Sequence, residues 1–286
     1  MTKDPVNRDF IPAAYSEKFA RFFGWWVREK MMGKKFYAVR VTADTAGALR
    51  DARDHEGPVI CACNHVSWWD PLVMFTLHRT ELCKNASDVR TLRAPMDAAQ
   101  LQRFSFFKKL GVFGIDPDDA ASLEAMSDYL ATYFDEAPAP TLWINPQGRF
   151  ADVREKVTPR PGTARVAASD ERSACVAVAL EYQFWLDQKP EILVRVEPVT
   201  PAKRSTTGWQ RALTNAMNDN AASLAELAIA RDPAVFECVI GGDAPSINPA
   251  YDLWLRLRGR AGSINDRSRP SSGSLPGPTP TGADVS

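Results

Sequence analysis

Short runs of consecutive apolar residues alternate along the chain with longer stretches in which apolar residues recur every three or four positions. The short runs are FYAVRV (Phe36–Val41), PVICAC (Pro58–Cys63), GVFGI (Gly111–Ile115), PTLWIN (Pro140–Asn145), ACVAVAL (Ala174–Leu180) and EILVRVE (Glu191–Glu197). FYAVRV alternates loosely. PVICAC is continuous, as expected of a strand covered on both faces. Helical periodicity predicts helices over Ala98–Leu110, Ala120–Phe134, Thr163–Ala168 and Trp209–Ile229. Strands interleaved with helices define an α/β class, with a mixed, largely parallel sheet flanked by helices.

Two stretches fall outside this alternation. Residues 1–35 form an N-terminal amphipathic helical segment, in which Tyr15, Phe19, Phe22 and Trp26 fall on one helical face and Phe23 and Trp25 widen it. Arg21 and Arg28 lie opposite, and Lys30, Lys34 and Lys35 follow. Aromatic residues beside cations suit a helix lying in a membrane interface, or one docked on the core, and the two are compatible. From residue 263 to 286 the chain is rich in Pro, Ser and Gly and is expected to be disordered. Residues 36–262 are then the α/β domain.

Composition narrows the function. Of 286 residues, 45% are hydrophobic, and 35 basic residues balance 35 acidic ones, which argues against a nucleic-acid partner. Five cysteines form no paired framework, as expected in a reducing compartment. No run reaches the roughly 18 apolar residues of a spanning helix, and MTKDPVNRDF lacks the features of a signal peptide. The expected location is cytoplasmic.

The densest chemistry lies in CACNHVSWWDP, Cys61–Pro71. A metal site would draw on Cys61, Cys63 and His65, but the spacing is not that of a zinc site and Cys83, Cys175 and Cys238 are isolated. As thiol nucleophiles the cysteines would need an electropositive, accessible setting, and a run of small apolar residues is not one. The third reading pairs His65 with Asp70. A carboxylate in reach holds one imidazole nitrogen protonated and leaves the other to take a proton. Asp70-Pro71 also reads as a helix start, with Asp as cap and Pro in the first turn. His65 follows a strand by two residues, where α/β sheets place reactive groups.

NHVSWWD, Asn64–Asp70, resembles the N-H-x-S-x-x-D signature of the glycerolipid (lysophospholipid) acyltransferase superfamily. KKLGVFGIDP (Lys108–Pro117) resembles the family's second block, an apolar strand ending in Ile-Asp-Arg. WINPQGRF (Trp143–Phe150) resembles the third, Phe-Pro-Glu-Gly-Thr-Arg, and PRPGTARVA (Pro159–Ala167) the basic helix start that follows. VAVALEY (Val176–Tyr182) resembles the fourth, Val-Pro-Val-Ala. The resemblance implies O-acyl transfer from acyl-CoA or acyl carrier protein, as co-substrate and with no cofactor or metal. The acceptor would be a hydroxyl of a membrane lipid: a lysophospholipid, a glycolipid or a carotenoid glycoside. It implies His65 as general base, Asp70 as its support, and substrate contacts from Asn64, Ser67, Gly111, Asp116, Pro146, Gln147, Gly148, Arg149 and Arg160. It also implies peripheral association with the inner face of the membrane.

The departures bear on the acceptor. Pro117 stands where the second block has arginine, Gln147 where the third has glutamate, and Arg149-Phe150 where it has Thr-Arg. Arginine binds phosphate bidentately and proline cannot. A neutral acceptor is therefore favoured over lysophosphatidate, with Arg149, Arg160, Lys108 and Lys109 as the residues that would compensate. The rivals are a catalytically impaired lipid-binding protein and a metal-dependent hydrolase that uses His65 and Asp70 as ligands.

Overall fold

The computed structural model describes residues 10–83, 90–185 and 188–241. The disorder expected over 263–286 lies outside them. One sheet of eight strands organises the chain, in the spatial order β4-β3-β5-β2-β6-β7-β1-β8. The strands are β1 (Ala38–Thr42), β2 (Val59–Cys63), β3 (Thr91–Asp97), β4 (Val112–Ile115), β5 (Pro140–Ile144), β6 (Ala174–Gln183), β7 (Glu191–Pro198) and β8 (Phe236–Gly241). β6 and β7 form an antiparallel pair and β8 runs antiparallel to β1, while every other neighbouring pair is parallel. The mixed, largely parallel α/β sheet is as expected.

The helices are α1 (Glu17–Trp26), α2 (Gly33–Lys35), α3 (Thr45–Asp54), α4 (Asp70–Leu77), α5 (Ala98–Arg103), α6 (Ala120–Glu136), α7 (Pro161–Ser169) and α8 (Thr206–Ala230). The starts of α6 and α8 are capped by side chains, as their sequences dictate. Asp119 accepts from Ser122 N–H at 3.0 Å, and Ser205 accepts from Gly208 N–H at 3.2 Å. The helix expected over Ala98–Leu110 is instead two pieces, α5 and a 3₁₀ turn over Ser105–Leu110, because Phe104 leaves helical geometry at φ −117° and ψ 55°. The break lets Phe106 reach the Phe23 ring while Phe107 points to an apolar pocket.

β2 shows how the pattern becomes a core. Val59, Cys61 and Cys63 enter one buried cluster with residues of α1 and α4, and Ile60 and Ala62 enter the other with residues of α6, α7 and α8. Every β2 residue is buried, which is why the run is continuous rather than alternating. Beside it, the buried Arg90 guanidinium donates to the carbonyls of His55 at 2.6 Å and of Gly57 and Pro140 at 2.9 Å each, tying the turn before β2 to the start of β5.

The N-terminal helix divides its aromatics differently from the expected face. Ala20, Phe23 and Val27, spaced i, i+3 and i+7, are buried, with Tyr15 and Phe19 packed against the same cluster. Phe22, Trp25 and Trp26 are turned outward, 59%, 53% and 40% exposed. Phe23 therefore belongs to the docking face, whereas Phe22 and Trp26 do not.

Candidate active site

Of three parallel neighbours, β5 and β2 end side by side and β6 runs five residues past the end of β2; the segments that leave β5 and β2, with the last residues of β6, build the site. After β2 the chain runs through Asn64, His65, Val66 and Ser67 into α4. After β5 it runs through Asn145–Gly148 to Phe150. β6 brings Tyr182 to the same edge.

His65 and Asp70 meet. His65 Nδ1 lies 2.8 Å from Asp70 Oδ2, and the same oxygen accepts the backbone N–H of Val66 at 2.7 Å and of Ser67 at 2.9 Å. A carboxylate can only accept, so Nδ1 carries the proton and Nε2 is left as the basic nitrogen. Asp70 is fully buried, whereas the His65 side chain keeps 17% of its surface open. The expected cap is corrected here. Asp70 is the first residue of α4 rather than its cap, and its carboxylate folds back onto the preceding turn instead of capping the helix. That turn is closed by the Asp70 N–H donating to Ser67 O at 3.1 Å and by Trp69 N–H donating to Ser67 Oγ at 3.2 Å.

The loop after β5 is sewn to the histidine strand. Asn145 Nδ2 donates to the carbonyls of Cys63 at 3.2 Å and Asn64 at 3.1 Å, and Ala151 N–H donates to His65 O at 2.8 Å. Gly148 turns the chain at φ +64°, which its lack of a Cβ permits, and its N–H donates to Asn145 O at 3.0 Å. Arg160 N–H donates to Pro146 O at 2.8 Å, and the Arg160 side chain runs beside Gly148. Gln147 is buried, and its Nε2 has no hydrogen-bond partner among the described residues. The Phe150 ring lies on the His65 imidazole, centroids 4.0 Å apart, with its outer face exposed.

Not all the sequence candidates converge. Asn64 spends its amide on the fold: Oδ1 accepts from Leu180 N–H at 2.8 Å and Nδ2 donates to Leu180 O at 3.0 Å. Asp116 directly follows β4, three strands from β2, and it accepts from Asp118 N–H at 3.0 Å in its own turn. Gly111 lies before β4, at the level of mid-strand positions of its neighbours. It adopts φ +96°, and a Cβ there would meet Leu92 O at 2.2 Å. Arg149 is paired with Glu155 at 2.8 Å, and Arg160 with Asp118 at 3.6 Å.

Cys61, Cys63 and Cys175 are buried. Burial pushes Cys61 up to about 12 and Cys63 and Cys175 well above the ordinary thiol value, so all three stay protonated. No group of three or more metal-ligating side chains occurs among the described residues. Asp70, with both oxygens already accepting hydrogen bonds, is poorly placed to ligate a metal.

Beside the pair opens an apolar pocket whose wall includes Pro71, Leu72, Phe75, Phe107, Trp143 and Asn145. Pro71 and Asn145 set one end of it next to the His65 turn. Trp143 is held there by a hydrogen bond from Nε1 to His78 Nδ1 at 3.3 Å.

An imidazole oriented by a buried carboxylate thus stands at the carboxyl edge of a parallel sheet, next to an apolar pocket, an arrangement chemically able to move a proton beside an apolar group. Residues 41–179, which run from β1 into β6, match the family model described as Acyltransferase. That segment, just under half of the chain, is similar to the acyltransferases that the model describes. No curated protein matches the chain.

Proposed function

We propose that this protein moves a fatty acyl group from acyl-CoA or acyl carrier protein to a hydroxyl group of a membrane lipid, with His65 as general base and Asp70 as its support. The observation that carries the reading is the 2.8 Å contact between His65 Nδ1 and the buried Asp70. His65 Nε2 takes the acceptor's hydroxyl proton while its oxygen attacks the thioester carbonyl. The tetrahedral intermediate then collapses with loss of the thiolate, and the imidazolium returns the proton to the departing sulfur. Ester and thiol are the products, and no protein nucleophile or cofactor enters. Asp70 stabilises the imidazolium between the two steps. Charge developing on the carbonyl oxygen needs fixed donors, and the unspent Gln147 N–H₂ in the loop beside His65 could serve as one only if the loop moved to uncover it. The apolar pocket, about 70 Å³, suits a few methylene groups of the acyl chain.

For the acceptor we favour a neutral headgroup, as in a glycolipid, carotenoid glycoside or acylglycerol, over a lysophospholipid. Pro117 offers no donor, Arg149 and Arg160 are each engaged by a carboxylate, and the ring on His65 is Phe150 rather than a cation. The protein reaches such a lipid from the surface of the bilayer. No helix among the described residues is long and apolar enough to cross a membrane. Phe22, Trp25 and Trp26 project from α1, with Lys30 5.8 Å from the Trp25 ring, in the manner of an interfacial anchor.

Radiolabelled palmitoyl-CoA and palmitoyl-acyl carrier protein, each offered with lysophosphatidate, monoacylglycerol and octyl glucoside, test the reading. The expected result is a labelled ester on a neutral acceptor with release of the thiol. Absence of ester from every combination would overturn the activity. Preference for lysophosphatidate that disappears in Arg149→Ala would overturn the acceptor class and make Arg149 the phosphate ligand.

A further inference from the structure

Asp70 is held from two sides. Oδ2 serves His65 and the two backbone N–H groups, and the remaining oxygen, Oδ1, accepts the phenol of Tyr182 at 2.7 Å. Tyr182 comes from the far end of β6, which lies next to β2 in the sheet, and its ring packs on Phe36 at 5.9 Å between centroids. Phe36 meets Trp69 edge-on at 5.0 Å, so the ring that carries the phenol is wedged beside the residue before Asp70.

From this arrangement we propose that Tyr182 is a positioning residue for acyl transfer, fixing the charge and the plane of the Asp70 carboxylate so that His65 presents Nε2 to the acceptor. This rests on the reading of His65 and Asp70 given above. A fully buried carboxylate with one idle oxygen can rotate about its Cβ–Cγ bond, and rotation would exchange the oxygens facing His65. A donor fixed on Oδ1 removes that freedom. The phenol also spreads the carboxylate's charge over a fourth hydrogen bond, which lessens its pull on the imidazole proton. Burial, then the neighbouring Asp70 charge, drive the Tyr182 hydroxyl far above its ordinary value, so it remains a donor at every pH at which the enzyme works. The titratable groups around Asp70 are His65, Tyr182 and the Cys63 thiol, and burial keeps the last of these neutral.

The test is Tyr182→Phe, which keeps the ring and removes only the hydroxyl. It is assayed with labelled palmitoyl-CoA and the acceptor that wild-type protein turns over fastest, beside His65→Ala. We expect kcat to fall about tenfold, the size of one hydrogen bond to a charged group, with both KM values unchanged. The acid limb of the kcat/KM profile should move to higher pH, because an Asp70 without its phenol holds the imidazolium more tightly. The same substitution in an Asp70→Asn background should add little, as two residues acting through one group are not additive. Unchanged kcat in Tyr182→Phe would overturn the proposal. So would a loss of kcat accompanied by a raised KM, a lower Tm and an unmoved pH profile, which is the mark of packing alone. Failure of His65→Ala to lose activity would instead overturn the general-base reading, whatever Tyr182→Phe does.

Discussion

Phe150 covers one face of His65, ring centroids 4.0 Å apart and planes 31° from parallel, at a position where the family pattern carries arginine. A stacked ring limits the imidazole to one plane. Phe150→Ala should lower kcat/KM about two- to fivefold, the scale of a partly exposed cation–π contact of ~0.5–1 kcal/mol. Its Tm should stay within a degree or two, because the ring is half exposed. Steady-state kinetics beside a thermal melt would show whether the loss is kinetic.

His65→Ala should abolish turnover while the protein stays folded, by a factor on the order of 10²–10⁴. Asp70→Asn should lose rate as well, since an amide cannot stabilise the imidazolium and can present N–H₂ to Nδ1, favouring the wrong tautomer. Cys61→Ala and Cys63→Ala should remain active with reduced stability. Activity surviving in His65→Ala, or vanishing in either cysteine variant with the fold intact, would contradict the assignment.

Gly111→Ala tests the one position among the described residues in which both conformation and space demand glycine. The left-handed φ of +96° and the 2.2 Å approach of a Cβ to Leu92 O leave no room for a side chain. A destabilisation of roughly 2–3 kcal/mol or more is expected, read as a shift of the urea midpoint. Activity at temperatures where the variant is folded should persist, because the residue lies away from His65.

Stability should fall on acidification through His78. Burial depresses this histidine to about 3, so it is neutral in the folded state and accepts a proton only on unfolding. Between its ordinary value near 6.5 and about 3 the unfolded chain binds the extra proton, and stability is lost progressively as pH falls through that window. From pH 7 to pH 5 the contribution is about 2 kcal/mol. Urea titrations at the two pH values should show a steeper loss in wild type than in His78→Gln, which keeps polar groups but does not titrate.

The outward aromatics of α1 should hold the protein to lipid. A triple replacement of Phe22, Trp25 and Trp26 by serine should weaken co-sedimentation with anionic vesicles at least tenfold and leave the melting curve close to wild type, because all three are exposed. Phe23→Ser should instead unfold or destabilise the helix dock. Undiminished vesicle binding by the triple variant would place the lipid-facing surface elsewhere.

The strands legible in the sequence were those buried on both faces, such as β2 and β6, whose apolar runs have few polar interruptions. β3 was not, because Thr91–Asp97 mixes Arg93, Pro95 and only partly buried positions. Its proline is accommodated because pairing with β5 spans only Thr91–Arg93. The 98–110 helix failed for a similar reason: apolar periodicity cannot register a single residue, Phe104, leaving the helical basin. In the site, His65 and Asp70 could be read because five positions of chain join them. Tyr182 could not, since 112 positions separate it from Asp70 and only the adjacency of β6 and β2 brings them together. Arg149 was read from its charge, but sequence carries no sign that Glu155 is its partner.

The stitching of the loop after β5 onto the His65 strand uses the Asn145 amide and main-chain groups, and none of the side chains at 147, 149 and 150. The main chain that carries the base is thereby insulated from the identities of those three residues, while the Phe150 ring still covers the imidazole. Mutation can rewrite what the loop presents to an incoming lipid while the proton-transfer machinery stays in register. The departures at Gln147, Arg149 and Phe150 fall outside that stitching, so single substitutions there can alter what the loop presents to an acceptor without displacing the main chain that carries His65.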